Sequence, residues 1–175
     1  MEDKISWRAD WKIHKFIDAD GEIERMLRDG ASVDDIVRKY GDRLFAVEEF
    51  GGNILLNAGA TEIWNLVIGA STNVYDNTNA QIGVGDSTTA EDAAQTDLQA
   101  ATNKTYKGMD TGYPQVSGST VTFRSTFGTA DANYAWNEYV VKHAVSGTCI
   151  NRKVQSKGTK ASGETWTISL QLSIS

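Results

Sequence analysis

Hydrophobic and polar residues alternate strictly over the last twelve positions of the chain, 164–175. The hydrophobic positions are Trp166, Ile168, Leu170, Leu172 and Ile174. The positions between them hold only threonine, serine and glutamine. A period of two predicts a β-strand with one hydrophobic and one hydroxyl-rich face. Because natural proteins use charges to keep exposed sheets from pairing with other chains, we expect the uncharged polar face to be covered by this chain or by neighbouring subunits.

The N-terminal third combines strand and helix patterns. Hydrophobic side chains alternate over residues 7–17, which predicts a strand, and the turn that follows ends at Gly21, where glycine supplies a positive φ. Residues 22–27 return as a second strand or a short helix. Ser32 has the position of an N-cap, and the helix it begins is expected to end at Gly41.

The rest of the chain is predicted to be mostly β-structure. Hydrophobic spacing of i, i+4 and i+7 predicts a helix within 53–68, and a small-residue stretch at 86–101 predicts a second, short one. Strands are predicted at 81–85, 120–127, 134–145, 149–150 and 164–175. Short strands separated by Gly, Ser and Asn turns predict a mainly β fold with minor α, an antiparallel β-sandwich or barrel-like domain preceded by a small α+β segment.

Charge divides the chain into two parts. Residues 1–50 contain 22 charged side chains, whereas residues 51–175 contain 18. We therefore predict a charged N-terminal segment at 1–50, an arm or small subdomain, and a β-rich domain at 51–175. Few charges are typical of surfaces that contact other subunits, although a merely uncharged β-sandwich would give the same pattern. Trp7 and Trp11 make the first segment a candidate docking arm.

Overall composition argues against several classes of partner. The formal net charge of −6 and the pI near 4.9 disfavour nucleic-acid binding, which needs a basic patch. The N-terminus has no signal-peptide core, and no hydrophobic run approaches the roughly 18 residues of a membrane span. We expect a soluble protein that is made in the cytoplasm and has no membrane partner.

No motif in the sequence indicates a reaction. His14 and His143 have no Cys or carboxylate nearby at metal-ligand spacing. Cys149 could pair with His143 as nucleophile and base, but a small core residue is the more usual role of a single cysteine. The glycines of 83–85 match neither a dinucleotide nor a phosphate loop. We predict no catalytic residue, no metal and no cofactor.

Aromatic residues keep two kinds of binding surface open. Tyr134, Trp136 and Tyr139 lie close together and could stack on a sugar, although aromatic side chains in strands more often belong to a core. The residues we predict for protein interfaces are Trp7, Trp11, Trp136 and Tyr139.

A series of short motifs runs through the second part of the chain in a characteristic order. The motifs are Asn57-Ala-Gly59, 82–90, 95–98, 119–123, 132–138, Asn151-Arg152 and Gly158-Thr-Lys160, followed by the alternating C-terminal strand. Over about residues 50–175 this order resembles small virion structural proteins of tailed bacteriophages and prophages.

The resemblance implies a non-enzymatic virion component, made in the host cytoplasm and present in many copies. It implies a trimer or other homo-oligomer that contacts the major capsid protein or other virion proteins, and a capsid decoration (cement) protein is the first expectation. A protein of the tail, baseplate or fibre is the alternative within the virion. A module that binds carbohydrate on the host surface is the alternative of another class.

Overall fold

Ten β-strands form two antiparallel sheets that pack face to face, in a computed structural model that describes residues 6–175. The strands are β1 (Trp7–Ile17), β2 (Leu44–Gly51), β3 (Ile54–Leu55), β4 (Ala80–Gly85), β5 (Lys104–Gly108), β6 (Gln115–Ser117), β7 (Thr120–Phe127), β8 (Glu138–His143), β9 (Cys149–Val154) and β10 (Glu164–Ile174). Sheet A has the order β2-β1-β10-β7-β6, and sheet B has the order β3-β9-β8-β4-β5. The predicted antiparallel β-sandwich is confirmed.

Residues 6–175 also contain three helices. They are α1 (Glu22–Arg28), α2 (Val33–Tyr40) and α3 (Asn57–Val67), and a 3-10 turn at Gly41–Arg43 follows α2. Within the described part of the chain, each helix is too short or too polar to cross a bilayer.

Strand β10 lies at the centre of sheet A, between β1 and β7. The four hydrophobic side chains from Trp166 to Leu172 are buried, as the alternation predicts, whereas Ile174 at the strand end is exposed. They pack against sheet B in a core that includes Ile82, Val84 and Val141.

Aromatic rings fill the middle of this core. Trp136 makes edge-to-face contacts with Phe127 and Trp166, each with ring centroids 4.8 Å apart. Tyr139 lies 5.6 Å from Trp11, centroid to centroid. Edge-to-face geometry at 4.8 Å is favourable for aromatic pairs beyond the area they bury, and the tilted Trp11–Tyr139 pair connects sheet A to sheet B.

The N-terminal segment is part of the sandwich. Strand β1 pairs with β10 along its whole length, from Trp7 opposite Ile174 to Ile17 opposite Glu164, and β2 pairs with the other side of β1. The predicted segment 1–50, whose first five residues lie outside the described part, thus supplies two strands of sheet A. Strand β1 is therefore not a free docking arm.

Helices α1 and α2 cover part of the outer face of sheet A. The turn before α1 has Gly21 at φ 68°, and the Asp18 carboxylate accepts hydrogen bonds from the backbone N–H groups of Ile23 and Glu24. Ser32 caps α2 by accepting from the N–H of Asp35 at 3.1 Å. The predicted turn and cap are confirmed, and residues 22–27 are resolved as a helix.

The hydroxyl-rich face of β10 is covered along half of its length. Thr165 and Thr167 are fully buried, and the Thr165 hydroxyl donates to Asp18 at 2.8 Å. Ser169 is half-buried and Gln171 is exposed, beyond the reach of the two helices. The chain itself shields one end of this face, and the other end forms the floor of an open groove.

The outer face of sheet B is covered by a long loop, residues 86–103. The short helix predicted at 86–101 is wrong, because side chains take the backbone N–H groups that a helix would use. Asp92 accepts from the N–H two residues later, and Asp97 accepts from the N–H of the next residue, each at 2.8 Å. Local bonds of this kind compete with helix formation.

A buried ion pair fixes this loop to sheet B. Arg152 and Glu138 are 0% exposed, and their side chains meet at 2.8 Å. The Glu138 carboxylate also accepts from the N–H groups of Gln99 and Ala100, while Arg152 donates to the carbonyl of Thr89 at 2.9 Å. Because both charges have several hydrogen-bond partners, the pair can be buried without an orphaned charge.

Candidate assembly surface

Helix α3 lies against strand β9 at unusually short range. Gly59 faces the backbone of Ile150, and a Cβ at this glycine would lie 2.5 Å from the Ile150 Cα. The N–H of Leu56 donates to the Ile150 carbonyl at 3.0 Å, and Glu62 is buried in contact with the Ser71 hydroxyl. The helix is therefore held closely against β9, with Gly59, Glu62 and the partly buried Ile63 facing the protein.

The opposite side of α3 is hydrophobic and open to solvent. Trp64 is 67% exposed, Val67 is 68% exposed, and Ile68, at the C-cap, is 75% exposed. Residues spaced i, i+3 and i+4 are neighbours on a helix surface, so these three side chains form one patch, here called the α3 surface. Glu62 is the one ionisable side chain of the helix, and it points inward. A helix with its apolar side turned outward is typical of an interaction surface.

The edges of both sheets are protected against strand addition. Strand β2 carries Glu48 and Glu49, and β5 carries Lys104 and Lys107. The other two edge strands, β3 and β6, have two and three residues. Charged or very short edges are how proteins avoid pairing with foreign strands, so association through a sheet edge is disfavoured.

Three of the four predicted interface residues lie in the core. Trp11, Trp136 and Tyr139 are at most 1% exposed and pack between the sheets. The prediction of these three as surface contacts is corrected: Trp11 and Tyr139 point from β1 and β8 toward the opposite sheet, and Trp136, which precedes β8, packs in the aromatic core. Trp7 is partly buried at the sandwich end, where its indole N–H donates to Asn53 at 3.2 Å.

The same burial removes the predicted sugar platform. With Trp136 and Tyr139 in the core, only Tyr134 of that group reaches the surface, and it is half-buried. Its hydroxyl lies 2.9 Å from Thr105 Oγ1 and 3.1 Å from the Val84 carbonyl. These three aromatic residues do not form an open stacking surface.

Cys149 and His143, considered above as a nucleophile and its base, have different hydrogen-bond partners. The Cys149 thiol is buried with Asp97 and the Gly147 carbonyl as its polar neighbours. Burial raises the pKa of this thiol well above its ordinary value, which suppresses the reactive thiolate. The Nδ1 atom of His143 accepts from the N–H of Ser146 at 3.0 Å. Cys149 has the environment of a core residue.

The remaining histidine and the glycines of β4 have structural surroundings. Burial, together with the charge of Lys12, lowers the pKa of His14 to about 4, so this imidazole is neutral at pH 7. A Cβ at Gly83 would lie 2.6 Å from the Tyr106 ring, so the glycine allows that ring to pack on the strand. Within residues 6–175 no group of three or more His, Cys, Asp or Glu side chains is arranged to hold a metal.

Comparison with known proteins gives no family for the chain: no family model, no curated protein and no solved structure matches it.

The exposed α3 surface could not be identified from the sequence pattern, because a hydrophobic stripe on a helix ordinarily marks the side that is buried.

Proposed function

We propose that this chain is a non-enzymatic structural protein of a tailed-phage virion, and that copies of it associate through the α3 surface. The observation that carries the proposal is the hydrophobic patch of Trp64, Val67 and Ile68 on a helix held closely against β9. The resemblance in motif order over residues 50–175 supports the choice of a phage particle. The buried thiol of Cys149 is consistent with a role that involves no catalysis.

Electrostatics favours this surface as the place where identical chains meet. Each copy carries a formal net charge of −6, so two copies repel one another over most of their surfaces. The α3 surface has no ionised side chain exposed, and contact there adds no close like-charge pair.

Burial of Trp64 would contribute part of the energy that an interface at the α3 surface needs. Covering a tryptophan that is 67% exposed removes on the order of 150 Å² of surface from water. At about 25 cal/mol per Å² this contributes about 4 kcal/mol, before the entropy cost of association. Repeated contacts on a particle would then add avidity without any new contact.

Within the virion, capsid decoration is the location we propose first. A cement protein needs a stable folded domain, sheet edges that do not pair with other strands, and a surface that binds its neighbours. In this chain we propose the α3 surface for the last of these roles. A tail, baseplate or fibre location uses the same features, with a different neighbour in place of the major capsid protein.

Mass spectrometry of purified particles tests this proposal. We expect the chain in particles from the strain that encodes it, in many copies and in the head fraction after heads and tails are separated. A Trp64→Glu variant should be depleted from particles, whereas Val116→Glu, which changes an equally exposed valine on β6, should be incorporated normally. Absence of the chain from heads and from tails would refute the proposal.

A further inference from the structure

A groove of about 790 Å³ crosses the outer face of sheet A, a volume within the range of small-molecule sites. Its floor is the open end of the hydroxyl-rich face. The strand register places Gln171 beside Thr122 and Asp10, and Ser169 beside Lys12 and Arg124. The neutral hydroxyl and amide groups of β10 and Thr122 thus lie between charged side chains of the neighbouring strands.

The charged side chains around this floor are largely neutralised by one another. Arg8 pairs with Asp10 at 2.7 Å, and Lys12 pairs with Glu49 at 2.8 Å. Arg124 is buried and pairs with Asp110, which lies behind the groove, at 2.8 Å. A groove whose charges are already paired offers a strongly charged ligand little electrostatic gain.

The carboxylate of Asp34 stands at the rim of the groove, in the first turn of α2. Among the described residues, no lysine or arginine forms an ion pair with it. A free carboxylate repels anions and accepts hydrogen bonds from hydroxyl groups. This residue therefore favours a ligand rich in hydroxyls over an acidic one.

One wall of the groove is an aromatic side chain in a fixed position. The Tyr113 ring lines the groove, and the Arg124 guanidinium lies 4.3 Å from its centroid. Asn77 holds the same loop by donating to the carbonyls of Tyr113 and Asp110 at 2.8 and 2.9 Å. A ring that is held in place loses little entropy when a ligand packs on it.

We propose that this groove binds a neutral oligosaccharide, with Tyr113 as the hydrophobic wall and Ser169, Gln171 and Thr122 as hydrogen-bonding partners of sugar hydroxyls. One fixed aromatic ring can pack on the C–H groups of a sugar, and the uncharged donors and acceptors can bind its hydroxyls. The site is on the other sheet from α3, so it acts independently of assembly.

Two measurements on the full chain test this site. The first is NMR titration with a panel of neutral mono- and disaccharides, which should shift the amide signals of residues 169–171 and Thr122. The second is an array of neutral and acidic oligosaccharides, on which Gln171→Ala and Tyr113→Ala should each weaken binding at least tenfold. The control Gln155→Ala changes an exposed glutamine outside the groove and should bind like the parent.

Several results would overturn the proposal. The first is that no neutral sugar produces a localised shift of amide signals. The second is that both groove variants still bind sugar as the parent does, and the third is that only acidic oligosaccharides bind. A thermal melt of each variant identifies a loss of binding that is due to unfolding. In that case Gln171→Asn, which keeps the amide and shortens its reach, replaces the failed variant and should also weaken binding at least tenfold. Self-association through α3 is expected to persist in all groove variants, so failure here is distinguishable from failure of the proposed function.

Discussion

Replacing Arg152 with methionine is expected to lower the free energy of unfolding by about 3–5 kcal/mol. The substitution leaves the Glu138 carboxylate 0% exposed without its cation, and only the N–H groups of Gln99 and Ala100 remain to solvate it. Loop 86–103 also loses its anchor at Thr89. Urea denaturation measures the change in stability, and hydrogen exchange of the loop amides measures its release.

An exposed ion pair provides the matched control for Arg152. Arg8→Met removes the partner of Asp10, but these side chains are 73% and 41% exposed, so the expected change is below about 1 kcal/mol. The double variant Arg152→Met/Glu138→Leu should be less destabilised than the sum of the single variants, because no charge remains buried alone. Equal effects of Arg152→Met and Arg8→Met would contradict the assigned role of the buried pair.

Replacing Gly59 with alanine is expected to destabilise the fold by about 3 kcal/mol. The new Cβ would lie 2.5 Å from the Ile150 Cα and 2.7 Å from its carbonyl carbon, and backbone atoms in β9 cannot move without disturbing the pairing with β8. Helix propensity alone predicts that Gly59→Ala stabilises the fold, since alanine in a helix is favoured over glycine by about 1 kcal/mol. A loss of stability would therefore show that the steric clash with Ile150 outweighs the gain in helix propensity.

Guanidinium denaturation of Gly59→Ala and Gly108→Ala makes this comparison. A methyl group on Gly108 would meet no other part of the chain within 4 Å, and this glycine has an ordinary φ, so its substitution should change stability little. A Gly59→Ala protein that is as stable as the parent would mean that α3 does not approach β9 as closely as described.

The parts of the fold that were predictable are those whose sequence pattern is local. The alternation in β1 and β10 gives strands with the correct buried face, because a strand that is polar on one side has one way to face a core. Gly21 and Ser32 are identified by backbone conformation and capping, which depend on a few neighbouring residues.

The misassigned elements depend on distant contacts. Loop 86–103 has small residues at helical spacing, but Glu138, far away in sequence, binds the N–H groups of Gln99 and Ala100. Strand β2 was not predicted, since its first four residues, 44–47, are all hydrophobic and do not alternate with polar positions. Its strand conformation is stabilised by pairing with β1.

The binding surfaces were the least predictable feature. Aromatic residues close together in the sequence occur both in cores and on surfaces, so their spacing does not indicate that Trp136 and Tyr139 are buried. In α3 the apolar side chains of Trp64, Val67 and Ile68 are outside, because the close approach of Gly59 to Ile150 sets the rotation of the helix. The groove was not predicted: the uncharged face of β10 was expected to be covered, and the chain covers it only at the end that holds Thr165 and Thr167.

Sedimentation equilibrium of the purified chain tests the central claim, that the α3 surface joins copies of this protein. We expect the parent and the Val116→Glu control to form a discrete oligomer whose population rises with concentration, and Trp64→Glu to sediment as a folded 19.1 kDa monomer under the same conditions. A parent that remains monomeric at high concentration, or a Trp64→Glu variant that associates as strongly as the parent, would contradict this claim.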